Sequence, residues 1–234
     1  MANDVRAAIV IVVVALLSAC AAPVSRVPSL GVGPPADFPE RDYREAAAQG
    51  RPVFRIDPAS SLVVIEVRRA GALARLGHDH VVASHDMRGY VLLDAGRADL
   101  YARLDRLVVD EPVLRAEAHF DTQPSRSDIA GTRRNMLGGV LDAAHYPFVR
   151  IRVASVDRAG SRATANVSMT LHGETRNLQV PLQTETTADD LTVSGSLILH
   201  QTDFGIVPLS ILGGAIQVED AIDLRFRLHA TRLK

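Results

Sequence analysis

The chain has 234 residues, 26 basic and 27 acidic side chains, and a formal net charge of -1. That balance excludes a general nucleic-acid binder, which holds phosphates through clustered Lys and Arg. Cys20 is the single cysteine, so an intramolecular disulfide and metal sites built from several cysteines are excluded too.

Met1 to Arg6 is short, and Ala7 to Leu17 is an apolar run of about eleven residues, well below the roughly 20 that a spanning helix needs. Such a run followed by small residues is the pattern of a secretory signal peptide. Leu17-Ser18-Ala19-Cys20 resembles the bacterial lipobox, in which the cysteine is acylated and becomes residue one. The resemblance implies a signal peptide over 1–19, lipid attachment at Cys20, and membrane contact through the acylated N-terminus. Ala21 stands where an aspartate would retain such a protein at the inner membrane. The expected address is therefore the outer membrane, facing the periplasm. The bland alternative is a chance buried cysteine closing a short anchor. Ala22 to Pro39 holds Pro23, Pro28, Pro34, Pro35 and Pro39 among small residues, a composition that stays extended and packs no core. Residues 20–50 read as a tether, with one or two helical turns over Asp42 to Gln49, and 51–234 as one domain.

From Val53 onward the dominant period is two. Ile222 to His229 alternates strictly between apolar and polar side chains, the mark of a half-buried strand. Val63, Ile65 and Val67 share one face, as do Leu100, Ala102 and Leu104. Further strands are expected over Tyr90–Asp94, Ala116–Phe120, Phe148–Val156, Ala163–Leu171, Asn177–Gln183 and Leu191–His200, divided by turn signals such as His172-Gly173-Glu174. Many antiparallel strands without long helices predict an all-β fold, a closed barrel or a sandwich. One short helix is expected, capped by Ser127, with Asp128 at its positive end, Arg133 and Arg134 at its negative end, and Gly138-Gly139 as its stop. It serves either as a plug at one barrel end or as a lid over a ligand.

Several segments then line up. Phe54 to Ser61, containing Ile56-Asp57-Pro58, the run Arg134 to Leu137 with Leu141-Asp142 and Tyr146-Pro147, the hairpin Thr170 to Arg176, Thr202-Asp203-Phe204-Gly205, and the closing Val218 to Leu228 occur in one order. Together they resemble the YceI-like family over roughly Pro52 to Leu233. The resemblance implies a periplasmic, lipocalin-like antiparallel barrel of about eight strands that binds polyisoprenoid lipid. The chain departs from the family where Arg68-Arg69 replace a histidine, where Arg133 to Leu137 reads Arg-Arg-Asn-Met-Leu, and over Gly71 to His85.

An apolar lining suffices for such a ligand. Each CH₂ removed from water gains roughly 0.8 kcal/mol, so about ten give roughly 8 kcal/mol before the cost of association. The expected lining is Val63, Ile65, Val67, Leu100, Leu104, Met136, Leu137, Leu224 and Phe226. The alternative is a filled barrel in a structural lipoprotein. A third reading rests on His78 and His80, which would share a strand face, with His85 nearby, as ligands of a metal or haem in a protein of redox or hydrolytic activity. His85 has the wrong parity for that set. No nucleophile elbow and no phosphate loop is found, and the protein partner stays unassigned.

Overall fold

The computed structural model describes residues 33–159 and 162–234. Cys20, the apolar run before it and most of the proline-rich stretch lie outside the described residues.

Among the described residues, three α-helices and fourteen strands carry the fold. The helices are α1 (Glu40–Ala48), α2 (Pro112–Glu117) and α3 (Arg126–Asn135). The strands are β1 (Val53–Ile56), β2 (Leu62–Val67), β3 (Arg69–Ala70), β4 (His80–Ser84), β5 (Arg88–Leu92), β6 (Arg97–Arg103), β7 (Val108–Val109), β8 (Phe148–Ala159), β9 (Arg162–Leu171), β10 (Glu174–Thr186), β11 (Asp190–His200), β12 (Ser210–Ile211), β13 (Ile216–Val218) and β14 (Ala221–Arg232).

The sheet closes on itself. β5, β6, β8, β9, β10, β11 and β14 are neighbours in that order, and β1 pairs with both β14 and β5. Three of the eight staves are broken in the middle. β1 and β2 run one after the other along β14, with Phe54 opposite Arg232 and Val63 opposite Phe226. β4 pairs with β2 while β5 pairs with β1, and β7 pairs with β4 while β6 pairs with β5. A break lets a stave change direction, as a closed barrel of tilted strands requires. At the first break Asp57 caps a 3₁₀ turn over Pro58–Ser60. The buried Ser61 hydroxyl there donates to the Asp57 carbonyl at 2.7 Å and accepts from His229 N–H at 3.0 Å, which fixes the bend to β14. Gly89 sits at φ 142°, where an added Cβ would lie 2.2 Å from the Asp99 carbonyl oxygen; no other residue fits that approach.

Alternation along the staves sends Ala98, Leu100 and Ala102 inward, and Leu224, Phe226 and Leu228 likewise. In β8 a bulge between Val153 and Ser155 resets the parity, so that Val156 rather than Ser155 continues the inward row.

Several expected elements move. Ala116–Phe120 is not a strand: α2 opens on Pro112, a residue suited to the first helical turn, and ends within that span. Tyr90–Asp94 shifts to β5, and Leu93–Ala95 forms a 3₁₀ turn. The cap of α3 is Ser125, not Ser127, in a capping box with Asp128. Gly138 and Gly139 do not stop the helix, which runs on through them as a π-helical turn over Met136–Val140. Helix α1, expected as part of the tether, is docked on the barrel's outer face. Tyr43 is fully buried beside Val53, Tyr90 and Leu92, and its hydroxyl donates to Asp99 Oδ2 at 2.8 Å. The packed body therefore begins before residue 51.

Candidate functional site

The inward rows do not meet. They enclose a cavity of about 630 Å³ with an almost wholly apolar wall, within the roughly 300–1,000 Å³ of small-molecule pockets. Val63, Ile65, Val67, Leu100, Leu104, Leu224 and Phe226 line it from the barrel, and Met136 from the end of α3. Leu137 does not line it. Its side chain packs in the adjoining cluster with Val82, Leu104, Leu107 and Val109. Gly195 stands in the inward row of β11, between Val193 and Leu197, behind the Phe226 ring that lines the cavity. An added Cβ there would lie 2.8 Å from the Phe226 ring and 2.5 Å from the Pro181 carbonyl oxygen, so the missing side chain lets that ring lie against β11.

The strand registers define two ends. At one, Leu191 of β11, Thr184 of β10 and Arg158 of β8 reach the cavity. At the other, α3 and the small sheet formed by β12, β13 and β3 cover the opening, with Ser127, Asp128, Thr132, Ile211 and Ile216 facing it. α3 thus contributes to the cavity wall as well as to the packing of that end.

His78 and His80 also line this second end, with ring centroids 6.2 Å apart. His80 Nδ1 lies 2.7 Å from Asp110 Oδ2, and its Nε2 lies 3.3 Å from the Thr132 hydroxyl. Asp110 takes two further hydrogen bonds, from Val81 N–H at 3.0 Å and from Arg115 at 2.7 Å. Burial opposes ionisation of Asp110, but the hydrogen bonds from His80, Val81 and Arg115 outweigh it and hold the carboxyl below the usual carboxylate range. Asp128, at the start of α3, is likewise held low by the Ser125 hydroxyl and backbone N–H. His78 Nε2 is 3.9 Å from Asp128 Oδ2, and its Nδ1 is buried with no partner.

His85 does not join the other two histidines. Its Nε2 lies 2.8 Å from Glu111 Oε1, and it does not line the cavity. Among the described residues no three His, Cys, Asp or Glu side chains gather as a metal-binding group. Carboxylate, imidazole and hydroxyl here follow the order of a hydrolytic triad. Acyl transfer also needs donors for an oxyanion, and Thr132 sits inside α3, where the neighbouring N–H groups are spent on the helix ladder. The group's evident chemistry is to fix one imidazole at the cavity wall, with Nδ1 toward Asp110 and Nε2 toward Thr132. Asp110, Arg115 and Thr132 escape sequence reasoning; the only local signal is Glu111-Pro112, a helix start directly after Asp110.

An eight-stave antiparallel barrel around an apolar cavity is the architecture of a lipocalin-like barrel for hydrophobic ligands. The chain belongs to the YceI-like domain family, whose model matches residues 54–230. No curated protein matches it significantly. Among solved structures it is similar to BcnA of Burkholderia cenocepacia, with a TM-score of 0.56 and 16% identity over 75% of this chain and 99% of that one. It is also similar to a polyisoprenoid binding domain from Saccharophagus degradans implicated in plant cell wall breakdown, with a TM-score of 0.55 and 12% identity over 77% and 98%. At these identities the likeness is one of fold.

Proposed function

We propose that this protein is an envelope lipoprotein, anchored through acylated Cys20 at the outer membrane, that binds and carries a polyisoprenoid-type lipid in its barrel. The observation that carries the reading is the hollow interior. A wall built from all eight staves, about 630 Å³ in volume, is left unfilled by its own side chains. Proteins of this size otherwise pack their interiors to the density of organic crystals. An elongated apolar molecule gains roughly 0.8 kcal/mol for each CH₂ it buries there, with no catalytic group required. The polyisoprenoid-binding relative of the same fold supports the ligand class. The lipobox-like Leu17 to Cys20 and the prolines after it support the anchor and tether.

The test is an organic extract of the full-length protein purified from bacterial membranes, analysed by mass spectrometry. An isoprenoid lipid near one per chain is the expected result. A lipid-free protein that also fails to take up added polyprenol would overturn the reading.

A further inference from the structure

The end of the cavity under α3 carries polar groups that an apolar chain does not need. On the footing of the lipid-binding reading above, we propose that His78 and His80 seat the polar end of the ligand and favour an uncharged hydroxyl head, as in a long-chain prenol, over a phosphorylated one. Three features carry this.

The first is the tautomer of His80. The Asp110 side chain has no exposed surface, faces the Arg115 guanidinium at 2.7 Å and receives His80 Nδ1 at 2.7 Å. In the tautomer that donates from Nδ1 to this carboxylate, Nε2 keeps a lone pair. That nitrogen is met only by the Thr132 hydroxyl at 3.3 Å, a long contact for an O–H donor. A ligand hydroxyl seated beside this pair, within reach of both atoms, could donate to Nε2 while accepting from Thr132.

The second is His78. It lines the cavity, and its Nε2 lies 3.9 Å from Asp128 Oδ2, too far for a direct hydrogen bond. A ligand hydroxyl at that wall can bridge the two.

The third is the state of the cations. Arg69 is the one arginine or lysine among the described residues lining this end. Its guanidinium is taken up by the Gly77 carbonyl, Asp79 and Asp121. Arg115, behind His80, gives its two terminal nitrogens to Asp110 and the carbonyls of Asp79 and Thr122; its Nε is without a partner, but the residue does not line the cavity. Among the described residues, no Arg or Lys side chain lining this end is left uncommitted to clamp a phosphate, and Asp128 would repel one.

The experiment is competitive displacement of a bound fluorescent lipid from the delipidated full-length protein. The probes are geranylgeraniol, geranylgeranyl monophosphate and the matching hydrocarbon without the hydroxyl. The alcohol should bind about tenfold tighter than either of the others, the scale of one or two well-placed neutral hydrogen bonds. His78→Phe and Thr132→Val, both of which leave the His80–Asp110 contact in place, should bring the alcohol to the level of the hydrocarbon. Equal binding of alcohol and hydrocarbon by the parent protein, or tightest binding of the phosphate, would overturn this inference alone. Failure of all three to bind would overturn the lipid-binding reading and this one with it. The parent comparison decides the matter even where a variant fails to fold.

Discussion

His80 Nδ1 lies 2.7 Å from Oδ2 of Asp110, a carboxylate whose side chain has no exposed surface. The same carboxylate holds Arg115 at 2.7 Å, so one buried anion ties β4 to α2. Breaking a buried pair by removing one charge strands the other, at a cost of about 3–5 kcal/mol. Asp110→Asn should therefore lower unfolding stability by about 3 kcal/mol, measured by urea denaturation. A loss smaller than that of an ordinary surface substitution would contradict the assigned geometry.

The same carboxylate predicts a pH effect of definite sign. Its folded pKa lies below the ordinary 3.8, held there, against the opposing effect of burial, by hydrogen bonds from His80, Val81 N–H and Arg115. A group depressed on folding contributes stability that is complete above its unfolded value and is lost as pH falls through the folded one. The stability difference between parent and Asp110→Asn should hold steady above pH 3.8 and shrink below it. Acid titrations followed by circular dichroism measure this; a gap that widens on acidification would contradict it.

How much of this was legible in the sequence depends on the range of the forces involved. The β14 stave declares itself because Ile222, Leu224, Phe226 and Leu228 must all face one side, and a period of two is a local signal. Ala116, Ala118 and Phe120 imitate that signal over a span too short to count. The helix wins there because Pro112 starts it and the buried Arg115 must reach Asp110. The His80 network is illegible for the opposite reason. Asp110 is 30 residues away and Thr132 is 52, and only closure of the barrel end brings them together. Hollow and filled barrels share one alternation pattern, so the cavity itself needed coordinates.

Gly195 shapes that cavity by what it lacks. A Cβ there would meet the Pro181 carbonyl oxygen at 2.5 Å and the Phe226 ring at 2.8 Å. Gly195→Ala should cost about 1–3 kcal/mol through overpacking and push the ring into the lumen, lowering lipid occupancy. Thermal unfolding and lipid quantification on the same preparation check both halves. An unchanged stability would show that the ring and strand yield freely.

Cys20 lies outside the described residues, and its role rests on the lipobox-like sequence. Cys20→Ser should abolish acylation and leave unprocessed precursor or a soluble product. Metabolic labelling with palmitate, followed by membrane fractionation, reads the outcome. If the Cys20→Ser protein is still labelled, matured and recovered with the membranes, Cys20 is not the anchor.

A lipid carrier needs a barrel that is hollow because a lipid fills it. Leu224 lines the cavity on β14, so Leu224→Trp adds volume where the structure leaves room. The decisive measurement is native mass spectrometry of the parent and Leu224→Trp proteins side by side, with urea stability measured on both. The parent should carry one lipid mass, and the variant should have lost that mass at a stability cost below the roughly 1–3 kcal/mol of an overpacked core. A parent of bare polypeptide mass, with a variant destabilised by that full amount, would contradict the carrier reading.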